Sequence, residues 1–282
     1  MSAIIESESA VATPPHGKAT AVTDSSVRRT EWCLRIGAAA CFIGHGAFGI
    51  ITKEAWLPYF AVVGIGRDLA FTLMPLIGAL DVTAGVMMLL SPRPIVLMYM
   101  ALWGLWTAML RPMAGESVFE TLERAGNYGV PIALLLWYGR PASLRALFKP
   151  VTRLKSIDRE TVGRALLWTT AVLLFAHGAL QAVTHKPSFA SLYGAVGWPS
   201  SVANPIGLIE MAAAILVIVA PVPALLVGVA VWKIASESLF PLSGTPIWEF
   251  VERAGSYAAP IALVLLYGKS PLTRIHLSRR FQ

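Results

Sequence analysis

The stretch "ERAGNYGVPIALLLWYGRP" at residues 123–141 returns near the end of the chain as "ERAGSYAAPIALVLLYGKS" at residues 252–270. The two stretches are identical at 12 of 19 positions, with a constant offset of 129 residues. Earlier in each copy, "GHGAFG" at 44–49 corresponds to "AHGALQ" at 176–181. An internal repeat of this kind indicates that one structural unit occurs twice. We therefore interpret the sequence as a duplication.

Composition indicates that both copies lie in a membrane. Of the 282 residues, 56% are hydrophobic and 14% are charged, and the mean hydropathy is +0.64. An eighth membrane helix is predicted over 118–139, because residues 128–139 alone are too short to cross. Seven other apolar stretches are long enough to cross about 30 Å of hydrocarbon: 33–52, 69–90, 94–110, 165–184, 202–220, 222–240 and 247–267.

The expected fold is an all-α integral membrane protein with eight transmembrane helices, arranged as two parallel four-helix-bundle repeats. The repeats are parallel because four helices return the chain to the face from which it entered. Arg and Lys precede the first helix and recur in the mid-chain linker and the C-terminal tail. By the positive-inside rule, both termini are therefore cytoplasmic and the protein is expected in the cell inner (plasma) membrane. The same residues explain the net charge of +7 without nucleic acid.

Five segments are expected along the chain. The N-terminal segment is rich in Ser, Thr, Ala and Pro and lacks hydrophobic periodicity, which predicts disorder. The segments are a disordered cytoplasmic tail (1–28), the first repeat (29–141), a basic cytoplasmic linker (142–161), the second repeat (162–270) and a basic cytoplasmic tail (271–282).

Ionisable residues recur at matched positions in the two repeats. This topology brings them together toward the outer side of the membrane. Each such residue is costly at membrane depth and normally faces a cavity or another charge, so the sequence predicts an outer polar pocket. The matched pairs are His45 and His177, Asp81 and Glu210, Glu123 and Glu252, and Arg124 and Arg253.

Two interpretations of the ERAG motif stay open. In the first, Arg124 and Arg253 are structural and hold acidic partners at a helix start, as in a Glu120–Arg124 pair. In the second, the arginines bind an anion or a quinone carbonyl, with Tyr128 and Tyr257 one turn further on. Protons would then move through Glu123 and Glu252 or through Asp81 and Glu210.

The histidines and tryptophans also allow more than one role. His45 and His177 are either axial ligands of a haem, contacts of a quinone and its protons, or a structural pair. Trp103 and Trp232 either pack in the core or stack on a flat ligand.

The two halves differ at a few positions of the predicted pocket. Lys233 and Glu237 can pair at i, i+4, and their counterparts in the first half are Gly104 and Ala108. Conversely, Arg111 has a phenylalanine as its counterpart. We therefore expect one half to bind and the other to support it, and the sequence leaves open which half is active.

Together, "GHGAFG", the acidic residue in the second helix and "RPMAGE…ERAGNYGVP" resemble the DoxX-like family of four-helix membrane proteins. The resemblance covers about 31–141 and 162–270. It implies one four-helix bundle per unit. For the thiosulfate:quinone oxidoreductase members, it implies electron transfer from a reduced sulfur compound to membrane quinone. A typical member has one such unit, whereas this chain has two.

The expected function is that of a membrane oxidoreductase or redox subunit, passing electrons between a small, sulfur-containing donor and membrane quinone. The expected cofactor is quinone, with haem b as the alternative, and the expected partners are membrane lipid and a partner redox subunit. A parallel-repeat transporter or a structural membrane subunit is the competing expectation.

Overall fold

Helices account for all the regular structure that is described. The structure, a computed structural model, describes residues 19–151 and 158–267, with side chains from residue 25 onward. No strand occurs within these ranges. The main helices are α1 (Ala19–Ile50), α2 (Arg67–Leu90), α3 (Pro94–Met113), α4 (Ala125–Tyr138), α5 (Arg159–Ala182), α6 (Ala203–Val219), α7 (Pro223–Glu237) and α8 (Ala254–Tyr267).

Short helices occupy the connections. Two of them, Glu54–Trp56 and Ser200–Val202, are 3₁₀ turns. The others are Leu57–Ala61, Phe119–Glu123, Leu144–Leu147, Ser188–Gly194, Leu239–Leu242 and Trp248–Val251.

The chain is a multi-pass membrane protein, because six of its helices are long and apolar enough to cross a bilayer. This confirms the predicted all-helical membrane class. The predicted spans over 118–139 and 247–267 instead each contain two shorter helices, and α4 and α8 have 14 residues each. The six candidate spans are Ser25–Ile50, Arg67–Leu90, Pro94–Met113, Arg159–Ala182, Ser200–Val219 and Pro223–Leu242.

The interruption falls within the ERAG motif in both copies. Arg124, with φ −84° and ψ 14°, separates Phe119–Glu123 from α4. In the second copy the break lies between Val251 and Ala254. A helix break leaves backbone carbonyls without partners. The arginine side chains satisfy some of them: Arg124 Nη1 donates to the Glu120 carbonyl at 2.9 Å, and Arg253 Nη1 donates to the Glu249 carbonyl at 2.6 Å.

Glycine pairs let helices α1 and α2 touch through their backbones. A Cβ atom built on Gly46 would lie 2.5 Å from the Gly78 carbonyl oxygen. The matched crossing of α5 and α6 is as close, since a Cβ on Gly178 would lie 2.4 Å from the Gly207 carbonyl oxygen. Small residues permit such contact between membrane helices. Each crossing brings a histidine beside the acidic residue of the next helix.

A third glycine pair joins α4 to α8, and therefore one half of the chain to the other. A Cβ atom on Gly126 would lie 2.6 Å from the Gly255 carbonyl carbon, and one on Gly255 would lie 2.4 Å from the Gly126 oxygen. Both glycines occupy the same position of the repeat. The ERAG motifs thus meet each other at the boundary between the halves.

The N-terminal boundary differs from the prediction. We predicted disorder through residue 28, but α1 begins at Ala19. Tertiary contacts explain the difference, because the Ser26 hydroxyl donates to the Leu265 carbonyl of α8 and Val27 packs against the core. The predicted disorder of 1–18 and the predicted tail at 271–282 lie outside the described residues, as does 152–157 of the linker.

Substituting Gly126 with alanine tests the α4–α8 crossing. We expect destabilisation by about 1–3 kcal/mol, the usual cost of overpacking a close contact. Gly228→Ala in α7 is the matched control, because nothing lies within 4 Å of its built Cβ. That control should be neutral or stabilising by up to about 1 kcal/mol through helix propensity. Thermal unfolding in detergent measures both, and equal midpoints would contradict the close crossing.

Candidate functional site

In the first half, a histidine is fixed by a fully buried carboxylate. His45 Nδ1 donates to Asp81 Oδ2 at 2.8 Å, and the Tyr99 hydroxyl donates to Asp81 Oδ1 at 2.6 Å. Asp81 is 0% exposed. The imidazole of His45 stacks on Trp56 with ring centroids 4.6 Å apart. Carboxylate and indole together set the orientation of the imidazole.

In the second half, the matched histidine has the same kind of partner. His177 Nδ1 donates to Glu210, at 2.7 Å from Oε2 and 2.9 Å from Oε1. Gln181 Nε2 and Trp232 Nε1 donate to the same carboxylate at 2.7 and 2.5 Å. His45 and His177 therefore belong to two separate hydrogen-bonded clusters.

The tryptophans of the two halves differ in their hydrogen bonds. Trp232 reaches Glu210, whereas the buried indole N–H of Trp103 has no acceptor among the described residues. The acidic residue explains this, because the aspartate at 81 is one methylene shorter and both its oxygens already bind His45 and Tyr99.

The two ERAG arginines lie in a cluster of ion pairs at the boundary between the halves. Arg124 Nη1 is 2.9 Å from both Glu120 and Glu123. Arg253 Nη1 is 2.7 Å from Glu249 and 3.2 Å from Glu252. The predicted Glu120–Arg124 pair is thus confirmed, although it spans a break rather than a continuous helix.

Lysines from the connections cross between the halves in a reciprocal way. Lys53, which follows α1, binds Glu249 of the second half. Lys186, which follows α5, lies 2.5 Å from Glu120 of the first half. Glu120 and Glu249 are equivalent in the repeat. Each half therefore supplies a cation to the acidic motif of the other half.

The cluster is electrically balanced. Its cations and carboxylates are equal in number, at six each, among the ion pairs of the described residues. Such balance offsets the cost of placing charges away from water. The cations are Lys53, Arg111, Arg124, Lys186, Lys233 and Arg253, and the carboxylates are Glu116, Glu120, Glu123, Glu237, Glu249 and Glu252.

The second half carries an additional buried pair. Lys233 Nζ lies 2.5 Å from Glu237, and both side chains are almost completely buried. The Glu237 carboxylate also lies 3.0 Å from Arg253 Nε and 3.7 Å from His177 Nε2. The predicted Lys233–Glu237 pair is confirmed. His177 consequently lies between two carboxylates.

The first half has a cavity beside its histidine, with a volume of about 150 Å³. Its polar lining includes Arg124 and Asn127 together with Glu252 of the second half. His45 also lines it, so both matched site residues of the first half face one space. Its aromatic lining is formed by Trp56, Tyr59, Phe60, Trp103 and Trp106.

A chain of two hydrogen bonds lies along this cavity. Arg111 Nη1 donates to the Tyr59 hydroxyl at 2.8 Å, and that hydroxyl donates to Glu116. Tyr59 lies in a connection outside the six candidate spans, where burial raises its pKa to about 12. The Tyr59 hydroxyl is therefore protonated at neutral pH and can donate this hydrogen bond. This chain of hydrogen bonds belongs to the first half alone, because the counterpart of Arg111 is Phe240.

A second cavity, of about 600 Å³, lies between α6 and α7. Its lining is almost entirely apolar, with Glu210 as its charged member and Trp198 and Trp232 as its aromatic ones. His177 does not line it. The two halves thus present different spaces to a ligand.

The predicted site residues are distributed unevenly over this arrangement. His45, Trp103, Arg124 and Glu252 share the first-half cavity, and Asp81 lies behind His45. Tyr128 and Tyr257 instead donate to the backbone carbonyls of Thr121 and Phe250, which is a structural role. The other predicted residues lie in the ion-pair cluster or around the second histidine: Glu123, Arg253, His177, Glu210 and Trp232.

Sequence reasoning missed the aromatic wall formed by Trp56, Tyr59 and Phe60. These residues lie in the connection after α1, where the sequence predicted no site. The sequence did contain one signal. An aromatic residue, Trp56 or Phe189, follows each histidine at a similar distance along the chain, and each contacts its histidine ring.

Neither a metal cluster nor a close relative identifies this site. In the described ranges, no group of three or more His, Cys, Asp and Glu side chains could hold a metal ion. No protein-family model matches the chain, and no curated protein or solved structure is significantly similar to it.

The buried Lys233–Glu237 pair can be tested by a double-mutant cycle. Lys233→Met should destabilise the protein by about 3–5 kcal/mol, because it removes one partner of a buried ion pair. Adding Glu237→Gln should restore part of the loss. Arg164→Met is the control, since its i, i+4 pair with Glu160 is half exposed and worth less than about 1 kcal/mol. Additive effects at 233 and 237 in thermal unfolding would contradict a buried pair.

Proposed function

We propose that the chain is a membrane oxidoreductase, or the redox subunit of one, whose first-half cavity binds the head group of a membrane quinone. The observation that carries this proposal is an aromatic cavity with a carboxylate-bound histidine in its wall. Ligand sites commonly combine apolar and aromatic walls with a few placed polar groups.

The size of the cavity agrees with one six-membered ring. A cavity of 150 Å³ in another protein, lined by apolar side chains, is large enough to bind benzene. The cavity beside His45 has about that volume. Trp103 and Trp106 offer flat faces on which a quinone ring can stack.

His45 is the group that would exchange a proton with a quinone oxygen. Asp81 accepts the hydrogen bond from Nδ1, which leaves Nε2 as the nitrogen for ligand or proton. Glu252 lines the same cavity and supplies a second group that can carry a proton. Reduction of the quinone to the quinol needs two protons.

The two electrons would come from a reduced sulfur compound, as the DoxX-like resemblance implies. Oxidation of two thiosulfate-type anions to one disulfide-linked product releases the two electrons that the quinone accepts. The balanced charges around Arg124 and Arg253 favour the uncharged ring over the anion at this cavity. We therefore assign the cavity to the quinone and the donor to another surface of this chain.

The finer topology is part of the same proposal. Matched glycine crossings, matched histidine–carboxylate pairs and reciprocal lysines support two parallel four-helix repeats. In this arrangement, α4 and α8 each cross the inner membrane together with the short helix that precedes them. They form the fourth and the eighth crossings along the chain. The termini are then cytoplasmic and the cavity lies toward the outer side.

Quinone reduction in liposomes tests the function. With thiosulfate as donor, we expect the purified protein to reduce duroquinone, and His45→Gln to lower the rate by about 10²–10⁴-fold through loss of the proton-transferring group. His177→Gln is the matched control, and it should retain most of the rate because His177 does not line the cavity. Equal losses in both variants, or none in His45→Gln, would contradict the assignment.

An optical absorption spectrum distinguishes the alternative cofactor. A Soret band that shifts on dithionite reduction would replace the quinone with haem b, for which His45 and His177 are the ligands to substitute. Flux of a solute through liposomes without redox activity would instead support the transporter. The helices are continuous around Pro75, Pro131 and Pro260, and the helix breaks lie instead at the two ERAG motifs.

A further inference from the structure

In the second half, a carboxylate lies beside the histidine and the arginine whose first-half equivalents line a cavity. The Glu237 carboxylate lies 3.7 Å from His177 Nε2 and 3.0 Å from Arg253 Nε. The equivalents of these two residues are His45 and Arg124, and both line the first-half cavity. The equivalent of Glu237 is Ala108, a buried residue that does not line the cavity and has no polar side-chain atom.

The Glu237 carboxylate thus lies between a histidine, fixed through Nδ1 by an acid, and an arginine, fixed by its ERAG glutamates. The two groups face different oxygens, because Arg253 Nε is 3.0 Å from Oε2 and His177 Nε2 is 3.7 Å from Oε1. In the first half, His45 and Arg124 are the same two groups. The side chain at position 108 is alanine, which has no acceptor to place between them.

The charge around the two places also differs. Glu237 has a third cation, Lys233 at 2.5 Å, whereas the equivalent residue Gly104 packs against the Asn127 backbone. The first-half cavity additionally has the Glu252 carboxylate in its lining. Arg111 also lines this cavity, where the second half has Phe240, so the number of cations is the same at the two places. Because Arg111 and Arg124 are already paired with Glu116, Glu120 and Glu123, the cavity suits a neutral oxygen better than a full negative charge.

We propose that the ligand of the first-half cavity places an acceptor oxygen between His45 and Arg124, where the second half holds the Glu237 carboxylate. This inference rests on the proposed function for the ligand's identity, and it assigns one quinone carbonyl to that position. The ring then lies against Trp103 and Trp106. In the second half, the Glu237 side chain occupies the corresponding position.

Wild-type protein provides the first test, by calorimetric titration in detergent after subtraction of protein-free micelles. Duroquinone is the probe, because its fully substituted ring does not add to thiols. Durene has the same methylated ring without carbonyl oxygens. We expect durene to bind at least tenfold more weakly than duroquinone. Equal affinities would overturn the inference, since the ring alone would then account for binding.

Transferring the second-half side chain into the first half provides the second test. Ala108→Glu should lower duroquinone affinity at least tenfold, because its carboxylate occupies the place of the ligand oxygen. Ala108→Ser is the matched control and should bind like wild type, since its hydroxyl is too short. Unchanged affinity in a folded Ala108→Glu variant would overturn the inference. If that variant does not fold, the comparison with durene decides.

A third probe separates this inference from the proposed function. If duroquinone does not bind but 4-methylbenzoate binds wild type and not Ala108→Glu, the oxygen position is supported and the quinone function is wrong. If duroquinone binds and Ala108→Glu changes nothing, the quinone function stands and the oxygen position is wrong. If neither probe binds, both proposals are wrong.

Discussion

The balance of charge around Arg124 and Arg253 governs how the two halves of the chain fit together. Twelve ionisable side chains meet near the boundary between the halves, and in a protein of this hydropathy none of them can be left alone. Breaking one pair would leave an uncompensated charge in a poorly solvated place. The helix breaks, the glycine contact of α4 with α8 and the crossing lysines all serve to bring these charges within bonding distance.

That requirement ties the fold to the candidate site. Because Lys53 must reach Glu249, the connection after α1 is held over the end of the first half, and its aromatic residues form one wall of the cavity. Because the ERAG motifs meet through Gly126 and Gly255, Glu252 of the second half borders a cavity otherwise built by the first. The site is therefore composite, and its polar end exists only when both halves are folded together.

Much of this arrangement follows from sequence periodicity and from the repeat. The hydrophobic stretches predicted the six long helices, five of them to within six residues at each end, and the repeat offset predicted which polar residues of the two halves are equivalent. The sequence could not predict the helix break inside ERAG, because nothing local distinguishes a broken helix from a continuous one there. The break depends on tertiary contacts, as does the early start of α1, where Ser26 bonds to a residue more than two hundred positions away. The aromatic wall was missed for a related reason, since a connection has no periodicity from which a facing side can be read.

The reciprocal lysine contacts resemble the self-complementary interface of a two-fold dimer, where each surface appears twice. In a true dimer of identical chains, a substitution that fills one pocket fills both, and selection acts on the pair. A single chain with two copies is free of that constraint. A glutamate at 237 then fills the second-half position with the chain's own carboxylate, while alanine at 108 leaves the first-half position free for a ligand. The covalent join between the halves thus separates the evolutionary fate of two surfaces that symmetry would have kept identical.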